Sequence, residues 1–294
     1  MSSRKDKNAV RLESGSFRKQ NTLSLNLGLL VKKNLDCILK LALFEVCVDS
    51  VESALAAQSA GAHRIELCEA LIIGGVTPSL GKIQTVLKAL SENTNLPIND
   101  SFHHKQPIIV HVLIRPRGGD FCYTRSEIDM MLLDIKLIKS IGRSNTNLNA
   151  NNSLSVSGVV LGALQSNGTI DETLTTQLIK AAKPEMTVTF HRAIDVTRDT
   201  LEAFRVCRKL GINRVLSSGR ASTALLGVEM LKEMVQESKK EEGEGGSIIV
   251  LAGGGINGSN AAEIIEKSGV TELHGCKSFS SSLLFISTFY LYFF

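Results

Sequence analysis

Several common features are missing from this sequence. It has no tryptophan, and aromatic residues make up only 5% of its 294 residues. No stretch combines aromatic with basic side chains in the manner of an RNA-binding module, so we predict no nucleic-acid partner. The six cysteines contain no CxxC spacing, which argues against a disulfide framework and favours reduced thiols. The apolar run at 283–294 is about twelve residues, whereas a membrane helix needs roughly 17–25, so we predict no membrane span.

Positive charge is concentrated in residues 1–40. This segment carries nine lysines and arginines against three acidic residues, so the remainder of a chain of net charge +4 sums to about −2. It lacks the apolar region and cleavage site of a secretory signal. We interpret 1–40 as a basic, disordered leader of a cytoplasmic protein, and organelle targeting by this leader is the alternative. Residues 277–294 are interpreted as an atypical apolar C-terminal tail.

Two apolar runs near the start of the remaining chain share one pattern. Each reads apolar–Glu–apolar–Cys, at 44–47 and at 65–68. A helix-forming stretch from Ser50 to Ala60 separates them, with Ser50 as its predicted N-cap and Gly61 as its stop. A strand, a helix and a strand in this order predict neighbouring parallel strands. Because side chains alternate along a strand, Glu45 shares a face with Cys47 and Glu66 with Cys68. We expect the two Glu/Cys pairs to lie side by side at the same depth.

The same alternation continues to residue 276. Eight strand-like segments and seven helix-like segments follow one another between residues 41 and 276. Eight repeated units are typical of a (β/α)8 barrel of about 250 residues, so we predict an α/β fold of the TIM type. A doubly wound open sheet is the alternative, although no G-x-G-x-x-G follows the first strand. The last helix is predicted to be missing or replaced by the apolar tail.

Function in such a barrel belongs to the carboxyl ends of the strands and the loops that follow them. Carboxylates, imidazoles and guanidinium groups meet there, and the candidate catalytic residues are Glu45, Glu66, Arg115, His191, Arg192 and Asp195. Buried carboxylates need partners, and the expected partners of Glu45, Glu66 and Glu272 are Arg115, Arg192 and His191. Such a network supplies acid–base pairs. A purely structural ion-pair network is the alternative.

Two glycine-rich loops suit a small anionic ligand. Gly253, Gly254 and Gly255 follow the seventh strand, where many barrels hold a phosphate against backbone N–H groups. Arg115 and Arg117 flank the loop after the third strand. The alternatives are a tight turn for the glycines and a local ion pair between Arg117 and Asp120. An enzyme acting on a small anionic or phosphorylated substrate is one function that these loops favour.

Cys47 and Cys68 favour a second function. On adjacent parallel strands their sulfurs lie roughly 5 Å apart across the ladder. Thiolates select soft ions such as Cu(I), and His111 or His274 is expected nearby. The alternative is that both cysteines act as small buried apolar residues.

Seven segments, taken in order, resemble the CutC copper homeostasis family. They are FEVCVDS at 44–50, AGAHRIELC at 60–68, GGVTPS at 74–79, IRPRGGDF at 114–121, TFHRAID at 189–195, RVLSSG at 214–219 and AGGGI at 252–256. The resemblance implies a cytoplasmic TIM barrel, often a homodimer, that is linked to copper handling and binds Cu(I) through Cys47 and Cys68. Residues 1–40 and 277–294 depart from the family pattern.

Overall fold

The structure, a computed structural model, describes residues 42–94, 107–144, 154–240 and 246–276. The predictions for the leader at 1–40 and the tail at 277–294 lie outside the described residues and stay predictions. Within the described part of the chain, no helix combines the length and apolar character needed to cross a membrane.

Eight parallel strands form a closed barrel in the order of the sequence. The strands are β1 Leu43–Val48, β2 Arg64–Leu67, β3 Ile109–Leu113, β4 Val156–Leu161, β5 Thr187–Phe190, β6 Arg214–Ser217, β7 Ile249–Gly253 and β8 Glu272–Cys276. Because β1 pairs with both β2 and β8, the sheet has no edge between its first and last strands. The predicted TIM-type barrel is confirmed, and the open sheet is excluded.

A helix follows each of the first seven strands. The helices are α1 Val51–Ser59, α2 Leu80–Thr94, α3 Arg125–Ser144, α4 Glu172–Ala182, α5 Thr200–Lys209, α6 Val228–Ser238 and α7 Ala261–Ser268. The predicted N-cap of α1 is confirmed, since the Ser50 hydroxyl accepts a hydrogen bond from the Ser53 backbone N–H. Ser53 returns the contact by accepting from the Ser50 backbone N–H at 3.0 Å, which satisfies two backbone donors at the helix start.

The strands are shorter than the apolar runs that predict them. The run at 186–194 predicts one strand, but β5 ends at Phe190 and a 3-10 helix covers Arg192–Val196. The His191 ring accepts a hydrogen bond from the Ala193 backbone N–H, so the backbone turns directly after the strand. The strand β4 differs in the other direction, because it begins at Val156 whereas the sequence predicts a start at Gly158.

The register of the first two strands differs from the expected one. Cys47 lies opposite Glu66, and Glu45 lies opposite Arg64. The prediction that the two Glu/Cys pairs lie at the same depth is therefore wrong. A closed barrel requires staggered neighbouring strands. Because Cys47 lies opposite Glu66, Cys68 is two residues nearer the carboxyl end than Cys47.

Candidate site in the barrel interior

Two arginines and two glutamates form a buried ionic layer inside the barrel. Arg64 pairs with Glu45, and its Nη2 donates to Glu272 Oε2 at 2.6 Å. Arg214 Nε donates to the same Glu272 oxygen at 3.0 Å. Arg64 and Arg214 are the first residues of β2 and β6. We call these four residues the ionic layer.

The expected partners of the carboxylates were wrong. Arg115, Arg192 and His191 lie elsewhere, and Arg64 and Arg214 take their place. The signal for Arg64 was available, because strict alternation places it on the same face as Glu66. Arg214 shares a face with the apolar Leu216, so alternation within its own strand offers no comparable signal.

His274 connects the ionic layer to Glu66. Its Nδ1 donates to Glu45 Oε1 at 2.7 Å, and its Nε2 lies 3.5 Å from Glu66 Oε2. Burial disfavours the charged ring, but the hydrogen bond to Glu45 and the charge of Glu66 raise the pKa of His274. Burial also opposes ionisation of Glu45, but His274 and Arg64 hold its pKa well below the usual range. Burial raises the pKa of Glu66 to about 7, because the charge of His274 offsets only part of the desolvation.

His111 lies on the other side of Glu45. Its Nδ1 is 3.8 Å from Glu45 Oε2, and its Nε2 is 3.3 Å from the Thr187 hydroxyl. Burial lowers the pKa of His111 to about 3, with Arg64 and Arg214 acting in the same direction and Glu45 against it. The ring is accommodated by Gly158 on β4, where an added Cβ would lie 2.5 Å from His111 Nε2.

Above the ionic layer, two thiols lie in apolar surroundings. The sulfurs of Cys47 and Cys68 are 3.5 Å apart and share a hydrogen bond. Both residues are buried in a cluster with Leu113 and Val160, against which the half-buried Leu71 packs. We call these five residues the thiol layer.

The thiol layer favours protonated sulfur in the absence of a metal. Hydrogen bonds to Cys276 and Cys68, together with burial, raise the pKa of Cys47 well above its usual value. For Cys68, a hydrogen bond from Cys47 favours the thiolate, but burial and the charge of Glu66 outweigh it and raise the pKa to about 12. One potential ligand atom each from Cys47, Cys68 and Glu66 lies within 4.8 Å of the other two, and the same holds for Glu45, Glu66 and His274.

Arg192 and Asp195 form a separate cluster at the ends of β5 and β6. Arg192 Nε donates to Asp195 Oδ2 at 2.8 Å, and its Nη2 donates to the Ser218 hydroxyl at 2.7 Å. Asp195 also accepts from the Ser218 backbone N–H. Within the described residues, both side chains are held by these local bonds and not by Glu45 or Glu66.

The predicted anion-binding residues have different surroundings. Arg117 pairs with Asp120 at 3.1 Å and with Glu127 at 2.6 Å, which agrees with the alternative of a local ion pair. Gly254 and Gly255 both have positive φ values, in keeping with a tight turn, and the Gly254 carbonyl accepts from the Ala224 backbone N–H at 2.8 Å. Arg115 has a different environment and is described with the further inference below.

The fold and these layers define a closed (β/α)8-barrel protein whose interior holds a buried ionic layer beneath a pair of thiols. A model described as the CutC family matches residues 42–279. A mouse protein named copper homeostasis protein cutC homolog is 41% identical over 239 residues, which cover 81% of this chain and 74% of the relative. A human protein of the same name is 41% identical over 232 residues, covering 79% and 72% of the two chains.

A solved structure agrees with the family match. The crystal structure named putative copper homeostasis protein CutC from Streptococcus agalactiae has a TM-score of 0.65 and 28% identity, and the match covers 80% of this chain and 98% of that one. The chain belongs to the CutC family.

Proposed function

We propose that this protein binds Cu(I) through Cys47 and Cys68 and acts in copper homeostasis. One observation carries the proposal. The buried thiol of Cys47, on β1, faces that of Cys68, directly after β2, and the two sulfurs are 3.5 Å apart. Thiolates are the ligands that soft Cu(I) prefers. The names of the mouse and human relatives support the same function.

The chemistry of the thiol layer fits a soft, singly charged cation better than a hard one. Leu113 and Val160 pack around the sulfurs, and Glu66 adds a single carboxylate to the two thiols, which is far short of the roughly six oxygen ligands that a hard ion takes. The competing account treats both cysteines as small apolar residues. It does not require their sulfurs to face each other across two strands. Copper entry must displace thiol protons, since the metal ligand is the thiolate.

An anaerobic Cu(I) titration against a competing chromogenic chelator tests the proposal. We expect the Cys47→Ser/Cys68→Ser double variant to lose the Cu(I) that the wild-type chain binds most tightly. Cys122→Ser is the matched control, because Cys122 is an exposed free cysteine and its loss should leave that stoichiometry unchanged. Equal stoichiometry in wild type and double variant, both shown to be folded by circular dichroism, would remove these thiols from the proposal.

A second candidate function is acid–base catalysis on a small anionic or phosphorylated substrate. Its support is the position of His274 between two carboxylates, at 2.7 Å from Glu45 and 3.5 Å from Glu66. Glu45 is already held by Arg64, so Glu66 is the carboxyl group available to accept a proton. Arg192, Asp195 and His191 do not contribute to this arrangement, although the sequence placed them among the catalytic candidates.

Exchange of a ligand's C–H hydrogens with solvent deuterium tests the second candidate function. Phosphate esters and carboxylates that raise the melting temperature of the protein would be incubated with it in D2O, and their C–H exchange followed by NMR. We expect Glu66→Gln to abolish exchange, whereas Glu92→Gln, on the outer helix α2, should retain it. Exchange that is equal in the wild type and Glu66→Gln would rule out Glu66 as the base.

A cytoplasmic location and a homodimer remain part of the proposed description.

A further inference from the structure

Three polar atoms near the carboxyl end of the barrel are buried and donate no hydrogen bond to another of the described residues. They are Arg115 Nε, the Tyr123 hydroxyl and His191 Nε2. Arg115 and Tyr123 belong to the segment after β3, and His191 follows β5 directly. We call these three residues the donor triad.

Phe121 brings members of the donor triad into one neighbourhood. The Arg115 Cζ lies 5.0 Å from the centre of the Phe121 ring, and the His191 ring centre lies 4.9 Å from the same ring. Burial raises the pKa of Tyr123 to about 12, and the charge of Arg115, together with a contact from its side chain to the phenol oxygen, opposes this shift. The guanidinium group is therefore close to both the phenol and the imidazole.

Each unpartnered atom carries a proton that it can donate. The His191 Nδ1 accepts a hydrogen bond from the Ala193 backbone N–H at 3.2 Å, so the ring proton is on Nε2. Burial, aided by Arg115, lowers the pKa of His191 to about 3, and the ring is neutral near pH 7. Tyr123 keeps its phenolic proton, and the Nε of arginine is always a donor.

The positive charge of Arg115 is uncompensated. Its terminal nitrogens donate to the backbone carbonyls of Ile73, Gly75 and Gly119, and it forms no ion pair with another of the described residues. Arg115 is only 6% exposed. A buried charge without an opposite charge is costly, in contrast to Arg64 and Arg214, which are both paired with carboxylates.

The surrounding backbone holds the donor triad in place before any ligand arrives. The three carbonyl bonds to Arg115 come from two different loops. Gly162 leaves room for the His191 ring, because an added Cβ would lie 2.5 Å from His191 Nδ1. Donors held in this way bind an acceptor without the loss of side-chain freedom that ordering would cost.

We propose that the donor triad binds the oxyanion group of a small ligand, a carboxylate or a phosphate. An oxyanion supplies several acceptor oxygens for three unpaired donors and a negative charge for Arg115. Arg117 is not part of this site, because its charge is already paired with Asp120 and Glu127. Oxyanion binding at the donor triad does not depend on Cu(I) binding by the thiol layer. Whether the bound ligand is also a substrate rests on the second proposed function, acid–base catalysis.

Isothermal titration of the full-length protein with sodium sulfate, phosphate and acetate, against sodium chloride at matched ionic strength, tests this site. We expect saturable binding of at least one oxyanion that chloride does not reproduce. Binding of sulfate and phosphate alone indicates a phosphoryl ligand, and binding of acetate alone indicates a carboxylate; both support the proposal. Tyr123→Phe should raise the dissociation constant about tenfold or more, as the loss of a hydrogen bond to a charged group predicts.

Thr175→Val is the matched control, because Thr175 on α4 also has a buried hydroxyl that makes no hydrogen bond within the described residues. This variant should bind oxyanions as the wild type does. Cys47→Ser and Glu66→Gln should also keep the wild-type affinity, which separates this site from both proposed functions. Absence of saturable binding by any of the three oxyanions overturns the proposal, as does equal affinity in Tyr123→Phe and wild type.

Discussion

At the scale of single residues, Arg64 is the centre of the ionic layer. It is fully buried and holds both Glu45 and Glu272. Arg64→Met keeps an apolar chain of similar length but leaves both carboxylates without their shared cation. We expect the free energy of unfolding to fall by about 3–5 kcal/mol, as for other broken buried ion pairs. Urea denaturation at pH 7 measures this loss.

Arg198→Met is the matched control for Arg64. Arg198 pairs with Glu202 one helical turn away, and both side chains are at least half exposed. Solvent screening makes such a pair worth little, so we expect a change within about 0.5 kcal/mol. If both variants lose a comparable amount of unfolding free energy, the ionic layer contributes no more to stability than a surface ion pair does.

His111 makes the stability of the barrel depend on pH. Its pKa is lowered to about 3 in the folded protein, against about 6.5 in an unfolded chain. Below pH 6.5 the unfolded chain therefore binds a proton that the folded protein does not. Stability is fully present above pH 6.5 and is lost as the pH falls towards 3.

The variant His111→Gln isolates this contribution. Between pH 7 and pH 5 the wild type should lose about 2 kcal/mol more unfolding free energy than the variant. The groups facing His111, namely Glu45, Arg64 and Arg214, are present in both proteins. Urea denaturation at the two pH values measures the difference, and parallel losses would mean that His111 is protonated in the folded state.

At the scale of secondary-structure elements, β4 is shaped to accept an imidazole from β3. An added Cβ at Gly158 would lie 2.5 Å from His111 Nε2 and 2.6 Å from Thr187 Oγ1. Gly158→Ala should therefore destabilise the protein by about 1–3 kcal/mol, the usual range for an overfilled interior. Thermal unfolding monitored by circular dichroism measures the loss.

Gly275→Ala on β8 is the matched control for Gly158, since an added Cβ there meets no heavy atom within 4 Å. It should cost less than Gly158→Ala. In a His111→Ala background the cost of Gly158→Ala should also shrink, because the ring that causes the overlap is absent. An undiminished cost in that background would assign the overlap to another side chain.

The elements were largely predictable from the sequence, whereas their ends were not. Alternation of apolar runs predicts the strands, and Ser50 predicts the start of α1 correctly. The end of β5 was missed because apolar residues continue beyond Phe190 at Ala193 and Ile194, which makes 186–194 read as one strand. Its early stop depends on a hydrogen bond to the His191 ring, which propensity does not encode.

The interior was predictable only in part, for a reason that concerns the whole molecule. Alternation places Glu45 and Cys47 on one face, but the neighbour of each depends on the stagger between strands. That stagger puts Arg64 beside Glu45 and Glu66 beside Cys47. It is a property of the closed barrel, so alternation identifies the face on which Arg64 lies, whereas its pairing with Glu45 and the contact from His274 depend on the barrel.

Also at the scale of the whole molecule, the sequence predicts that residues 1–40 are separate from the barrel. A chain that begins at residue 41 should keep its melting temperature within about 2 °C, since a change below about 0.5 kcal/mol shifts a domain of this size little. Calorimetry measures the shift. A deletion extended through β1 should abolish cooperative unfolding, because β1 pairs with β2 and β8. A large shift from the shorter deletion would refute the predicted separation.

The contact between Glu45 and His274 joins positions 229 residues apart in the sequence. At a ribosomal rate of about 5–20 residues per second, the glutamate is made roughly 10–45 s before its histidine. Arg64 similarly precedes Glu272 by 208 residues. The nascent chain therefore carries charged side chains that must stay hydrated, so its first strands cannot form a dry core during translation. Closure of the barrel interior therefore has to wait until β8 has been made, because β1 pairs with β8.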